Sequence, residues 1–103
     1  MKHMVILVCP PGAEDPEVRM IENTLEEFQK VVGGRIEIAL TSQSFPKDIL
    51  VICNEEGILE DLHPNRFGIR GTFFCCRQNG EGFDSLTPRQ IVFLKKYLES
   101  TGW

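Results

Sequence analysis

Long apolar runs are missing from this chain. The longest, Met4 to Cys9, ends at Pro10-Pro11-Gly12, far short of the roughly 20 residues that cross a bilayer. It is also shorter than the apolar core of a secretory leader, and a turn follows it where a small-residue cleavage site would stand. The run therefore reads as a first strand, no membrane partner is expected, and the expected setting is the cytoplasm. Basic charge is also scarce. Eleven Lys and Arg stand against fifteen Asp and Glu, a net charge of −4. The basic residues are scattered, with Lys95-Lys96 a lone local pair, whereas a nucleic-acid face concentrates them. The acidic residues come in small groups, too sparse for a nucleic-acid mimic. Only two histidines occur, His3 and His63, and no Cys-x-x-Cys pair accompanies them. Structural zinc is thus not expected, and no cofactor is implied. No repeat, low-complexity tract or linker interrupts the sequence. A length of 103 residues accommodates one domain, residues 1–103.

Four cysteines are present, Cys9, Cys53, Cys75 and Cys76. Three lie inside apolar, strand-like runs, so they read as free, buried, small hydrophobes. Adjacent Cys75 and Cys76 project to opposite faces if they lie on a strand.

The remaining pattern alternates strands with two helices. Val5 to Cys9 is wholly apolar and fits a strand covered on both faces. Ala13 to Val18 reads as a polar loop, and Arg19-Met20-Ile21 as a short strand segment. Asn23 or Thr24 begins a capping box with Glu26 or Glu27. Leu25, Phe28 and Val31-Val32 then form an apolar stripe, and Gly33-Gly34 stop the helix. Arg35 to Leu40 alternates as a half-buried strand, and Ile49 to Cys53 is a buried one. Asn54-Glu55-Glu56-Gly57 reads as a hairpin turn leading to a short return strand at Ile58-Leu59. Leu62 to Gly68 is turn-like, and Ile69 to Cys76 is a further strand. Asn79-Gly80 is the strongest hairpin signal, with Phe83 re-entering the sheet edge. The last helix opens on Thr87 as cap and Pro88 as first residue, with Leu86 and Ile91 as a staple. Its buried stripe is Ile91, Leu94 and Leu98, and it ends near Glu99 or Ser100. Together these predict an α+β fold, a mostly antiparallel sheet of four or five strands with two helices packed on one face.

Five segments taken together resemble a known family. They are Ile21-Glu22-Asn23-Thr24-Leu25, Val32-Gly33-Gly34-Arg35-Ile36-Glu37, Ile52-Cys53-Asn54-Glu55-Glu56-Gly57, Leu62-His63-Pro64-Asn65-Arg66 and Gly71-Thr72-Phe73-Phe74. The set resembles the domain-of-unknown-function family 3846, over about Met4 to Leu98. The resemblance implies a small protein or domain of bacteria, phages and plasmid-like elements. It brings no activity with it.

The polar groups that could form a site are Asn54, Glu55, Glu56, Asn65 and Arg66. As a recognition patch, Arg66 would be a forked donor to a carboxylate or phosphate and the two amides would orient it. As turn chemistry, Asn54 opens one turn, Asn65 caps the next, and Arg66 pairs with Glu55 or Glu56. The turn reading is the better explained of the two. No catalytic triad or phosphate-cradling loop is present, so the main expectation is a non-enzymatic module that binds an unknown protein partner. Two alternatives stay open. One is a binder of a small anionic, nucleotide-like ligand. The other is a hydrolase using Glu55, Glu56 and His63. A two-fold homodimer through an exposed sheet edge is also consistent with so small a sheet.

Overall fold

A computed structural model describes residues 3–10, 16–39, 45–56 and 71–101, with the backbone alone at 100 and 101. The expected return strand at Ile58-Leu59, the turn at 62–68, and Gly57, His63, Asn65, Arg66 and Trp103 lie outside the described residues. The elements are β1 (His3–Cys9), β2 (Glu17–Glu22), α1 (Leu25–Val32), β3 (Ile36–Ile38), β4 (Ile49–Asn54), β5 (Phe73–Asn79), β6 (Gly82–Asp84) and α2 (Pro88–Thr101). All pairings among them are antiparallel, in the order β2-β1-β5-β4-β3, with β6 joined to β5. Arg77 pairs with Ile49 of β4 and with Asp84 of β6, so β6 lies on the same side of β5 as β1. The α+β class and the antiparallel sheet agree with the sequence pattern.

Alternation along β1, β4 and β5 divides the interior in two. Leu7, Cys9, Val51, Cys53, Phe73 and Cys75 point to one face, where Leu94 and Leu98 of α2 cover them. Met4, Ile6, Val8, Ile52, Phe74 and Cys76 point to the other, where Phe28 and Val32 of α1 cover them. The helices therefore flank the sheet, one on each face, and do not share a face as expected. Phe73, Phe74, Cys75 and Cys76 are all at 0% exposure, so β5 needs cover on both sides. An antiparallel sheet often leaves one face wet; here continuous apolar runs deny that arrangement.

Both helices begin where local chemistry places them. Thr24 caps α1, its hydroxyl accepting from Glu27 N, and Gly33 closes it at φ 80. That left-handed conformation favours glycine because it has no Cβ to collide with the backbone. Before α2, Thr87 N donates to Gln90 Oε1 at 2.9 Å and Gln90 N donates to Thr87 Oγ1 at 3.2 Å, a reciprocal capping box. Leu86 is buried and Ile91 packs on the same core, as the staple requires.

Several boundaries differ from the pattern. Glu17 and Val18, expected in a loop, belong to β2. On that strand Val18 and Met20 are exposed and Ile21 is buried, so the alternation carried little burial signal. Leu25 and Ile38 are 55% and 51% exposed, Ile38 even though it pairs with Ile52 of β4. The strand placed at Ile69 to Cys76 runs Phe73–Asn79, with Gly71 and Thr72 outside it and Ile69 and Arg70 outside the described residues. The hairpin turn is centred one residue later than Asn79-Gly80. Asn79 pairs with Gly82, and Gly80 alone of the two central residues has positive φ, at 62. Glycine first with an ordinary second residue is the type II′ pattern.

Burial of Leu94 at 0% exposure against Val92 at 55% gives a direct test. Leu94→Ala should lower unfolding free energy by about 2–5 kcal/mol in urea titration. Val92→Ala should change it by less than about 0.5 kcal/mol. Equal effects would place α2 wrongly on the sheet.

Candidate functional site

The β4 terminus is where the sequence placed half of its recognition patch. Asn54 ends the buried strand β4 and is itself buried, at 6% exposure. Its Nδ2 donates to Val32 O at 3.2 Å, meeting an orphan carbonyl at the end of α1. Its Oδ1 accepts from Glu56 N at 2.8 Å, closing an Asx turn. Glu55 N donates to Arg35 O at 2.8 Å. A Cβ built on Gly34 would meet Asn54 Nδ2 at 2.8 Å, so glycine is what lets the helix exit pass so closely. Asn54 thus binds the end of α1 to the turn after β4, with both ends of its amide satisfied.

Glu55 and Glu56 lie exposed on this turn. The arginine beside Glu55 is Arg35, with Nη1 to Oε1 at 3.7 Å. Arg66, which the sequence offers as a partner for Glu55 or Glu56, lies outside the described residues. An exposed pair of this kind contributes little stability.

The thiols are ordered by burial. All four cysteines are free and buried. A hydrogen bond with Cys9, followed by burial, pushes the Cys75 thiol well above its usual range. Burial pushes Cys76 up to about 12, with Cys75 adding to the effect. Burial and then the Glu37 carboxylate push up Cys53, whose Sγ donates to Glu37 O at 3.5 Å. Cys53, Cys75 and Cys76 are therefore neutral near pH 7 and poor nucleophiles. Cys75 and Cys76 face opposite cores, as their adjacency on a strand dictates.

A shallow groove of about 320 Å³ lies between the start of α1 and the β5–β6 hairpin. Leu25, Phe28, Ile36 and Phe83 give it an apolar lining, and Glu81 adds an acidic group. Phe28 and Phe83 meet with ring centroids 5.2 Å apart. Asn23, also lining the groove, spends its amide on Phe83 O at 2.8 Å. Among the described residues no basic side chain lines it.

The remaining candidate is the sheet edge at β2, which the sequence reading did not single out. Opposite residues share a face, so Glu17, Arg19 and Ile21 stand on the α1 side and Val18, Met20 and Glu22 on the α2 side. The α2-side residues Val18 and Met20 are 43% and 66% exposed. On the other side Arg19 Nη2 donates to Glu17 Oε2 at 2.9 Å. The backbone direction follows from β1. Val5 N donates to Ser85 Oγ, and Leu86 N donates to Val5 O, so Val5 points its amide groups away from β2. Its partner Met20 therefore points N–H and C=O outward, as do Val18 and Glu22 by alternation. Among the described residues nothing pairs with this outer edge of Val18 and Met20. The signal available in sequence was the two-residue period of Glu17-Val18-Arg19-Met20, apolar on one face and oppositely charged on the other.

Two outcomes test these assignments. Gly34→Ala and Asn54→Ala should each destabilise the fold, by about 1–3 kcal/mol for the lost buried hydrogen bonds of Asn54. The double variant should lose less than the sum, since removing the amide removes the clash; strict additivity in denaturant titrations would contradict the contact. The raised thiol pKa sets a pH trend. The unfolded chain releases its Cys76 proton near the ordinary 9.0 and the folded chain near 12, so stability should fall as pH rises through that window. Cys76→Ala should flatten the decline in alkaline melts.

No curated protein and no solved structure matches the chain significantly. Residues 1–100 match the family described as Domain of unknown function (DUF3846). The match spans nearly the whole chain and agrees with the segments quoted above, and the protein belongs to that family.

Proposed function

We propose that the protein is a non-enzymatic module that binds another protein by adding a strand at β2. The observation that carries this reading is the outer edge of Val18 and Met20, whose backbone groups and apolar side chains face outward together. An extended segment laid there would gain main-chain hydrogen bonds and cover both side chains. Among the described residues, several polar groups that could argue for catalysis are occupied otherwise. Asn54 is held by Val32 O and Glu56 N, and Glu55 sits beside Arg35 on an exposed turn. Arg77 is held by Ser85 O and Asp84. In this reading Asn54 positions the turn after β4, and Glu55 and Glu56 are exposed on that turn, separated from β2 by β5 and β1.

The anionic-ligand alternative fits the groove poorly among the described residues, because Glu81 lines it and none of the described lining residues is a cation. The setting would be a bacterial cytoplasm hosting a phage or mobile element, as the family resemblance implies.

A photo-crosslinking amino acid in place of Met20, in cells that carry the gene, should yield discrete protein adducts that Val18→Lys removes. The same group in place of Glu99, exposed on α2, should yield none of them. Identical adducts at both positions, or none at Met20, would overturn strand addition at this edge.

A further inference from the structure

Resting on that reading of β2, we propose that the partner is a second copy of this chain, paired antiparallel through β2 about a two-fold axis at Val18. The ladder restricts the choice of register. Val18 and Met20 point their N–H and C=O groups outward, Glu22 has the same sense but its C=O already accepts from Thr24 N at 2.9 Å, and Glu17, Arg19 and Ile21 point theirs at β1. Directly opposite residues in an antiparallel pair must both be outward or both be inward. Registers that place an outward residue opposite an inward one are therefore excluded, and the two-fold must pass through a residue.

Side-chain chemistry selects among the remaining registers. An axis at Arg19 sets Arg19 directly against its own copy, a like-charge opposition. An axis at Met20 sets Val18 against Glu22. An axis at Val18 sets Val18 against Val18, and Met20 against Pro16 of the other copy, an apolar strip on the α2 side. On the α1 side it sets Glu17 against Arg19 twice. Each copy already joins Glu17 to Arg19 at 2.9 Å, so the four charges close an alternating square. Pro16 precedes the strand and has no N–H; in this register its carbonyl accepts from Met20 N–H of the other copy. The opposite end of the sheet offers less, since β3 has three residues.

Sedimentation across a concentration series tests the pairing. The wild type should associate to a dimer. Glu17→Arg or Arg19→Glu alone turns both cross-strand pairs into like charges and should raise the dissociation constant by about tenfold or more. The double variant, with charges exchanged, should recover the dimer. An equimolar mixture of the two single variants should form a heterodimer tighter than either homodimer, because each supplies the sign the other lacks. Val18→Cys copies should crosslink under mild oxidation, whereas Met20→Cys copies should not. That contrast separates the Val18 axis from one at Met20.

A wild type that stays monomeric throughout, or charge reversals without effect, would overturn the self-pairing. So would a mixture no tighter than its components. A monomer that still crosslinks to other proteins through Met20 refutes the second copy and leaves strand addition standing; a monomer without adducts refutes both. Folding of each variant is checked by circular dichroism. Recovery in the mixture independently requires that both single variants are folded.

Discussion

Burial of β5 on both faces is the constraint from which the rest of this structure follows. Phe73 and Cys75 point to one side, Phe74 and Cys76 to the other, and none is exposed. A strand of that kind cannot lie at an edge or on an open face, since either choice would leave large apolar surface in water. It must have a strand on each side and a helical layer above and below. β1 and β4 supply the strands, and each repeats the two-sided pattern. α1 and α2 supply the layers. The three-layer arrangement is thus imposed from the centre outward, and the short outer strands need only one buried residue or none.

That same constraint explains where the polar residues are. The most buried amide described, Asn54, stands where β4, the exit of α1 and the entry of β3 converge. Three backbone paths crossing at one point leave groups that water cannot reach, and one amide meets two of them. Serine, aspartate and glutamine side chains perform comparable duties at the β6 corner and at the cap of α2. The thiols follow the opposite logic. They fill core positions where a small apolar group fits, and burial keeps Cys75 and Cys76 protonated. Little of the described polar chemistry is left for a reaction, which is why the functional reading moves to a surface and to backbone groups.

β2 is the point at which this economy stops. It completes one side of the sheet but has nothing beyond it among the described residues, and its apolar side chains gain only partial cover from β1. Edge strands are commonly protected by inward charges, proline or a bulge. Here Pro16 guards the beginning alone, and the two charges in the middle are mutually complementary. A surface with those properties invites an added strand, and its sign pattern is matched by its own reversed copy.

The elements were legible wherever local chemistry decided them. Thr24, Gly33, Thr87-Pro88 and the apolar runs of β1, β4 and β5 mark helix ends and core strands, and family membership agrees with the motif segments. Glu17-Val18 was misplaced because an edge strand lacks the burial that makes alternation readable, and Leu25 and Ile38 because spacing names a face without saying whether anything covers it. Of the candidate patch, the turn chemistry of Asn54 was readable from its position before Glu55-Glu56-Gly57, while its bond to Val32 O was not. Sequence alone determined the element types, the caps and the opposite orientations of Cys75 and Cys76, since these depend on backbone geometry within a few residues. Tertiary structure decided which face each helix took, that Arg35 stands beside Glu55, and which edge is unpaired among the described residues. Those outcomes depend on contacts between residues far apart in the chain, and no local periodicity encodes them.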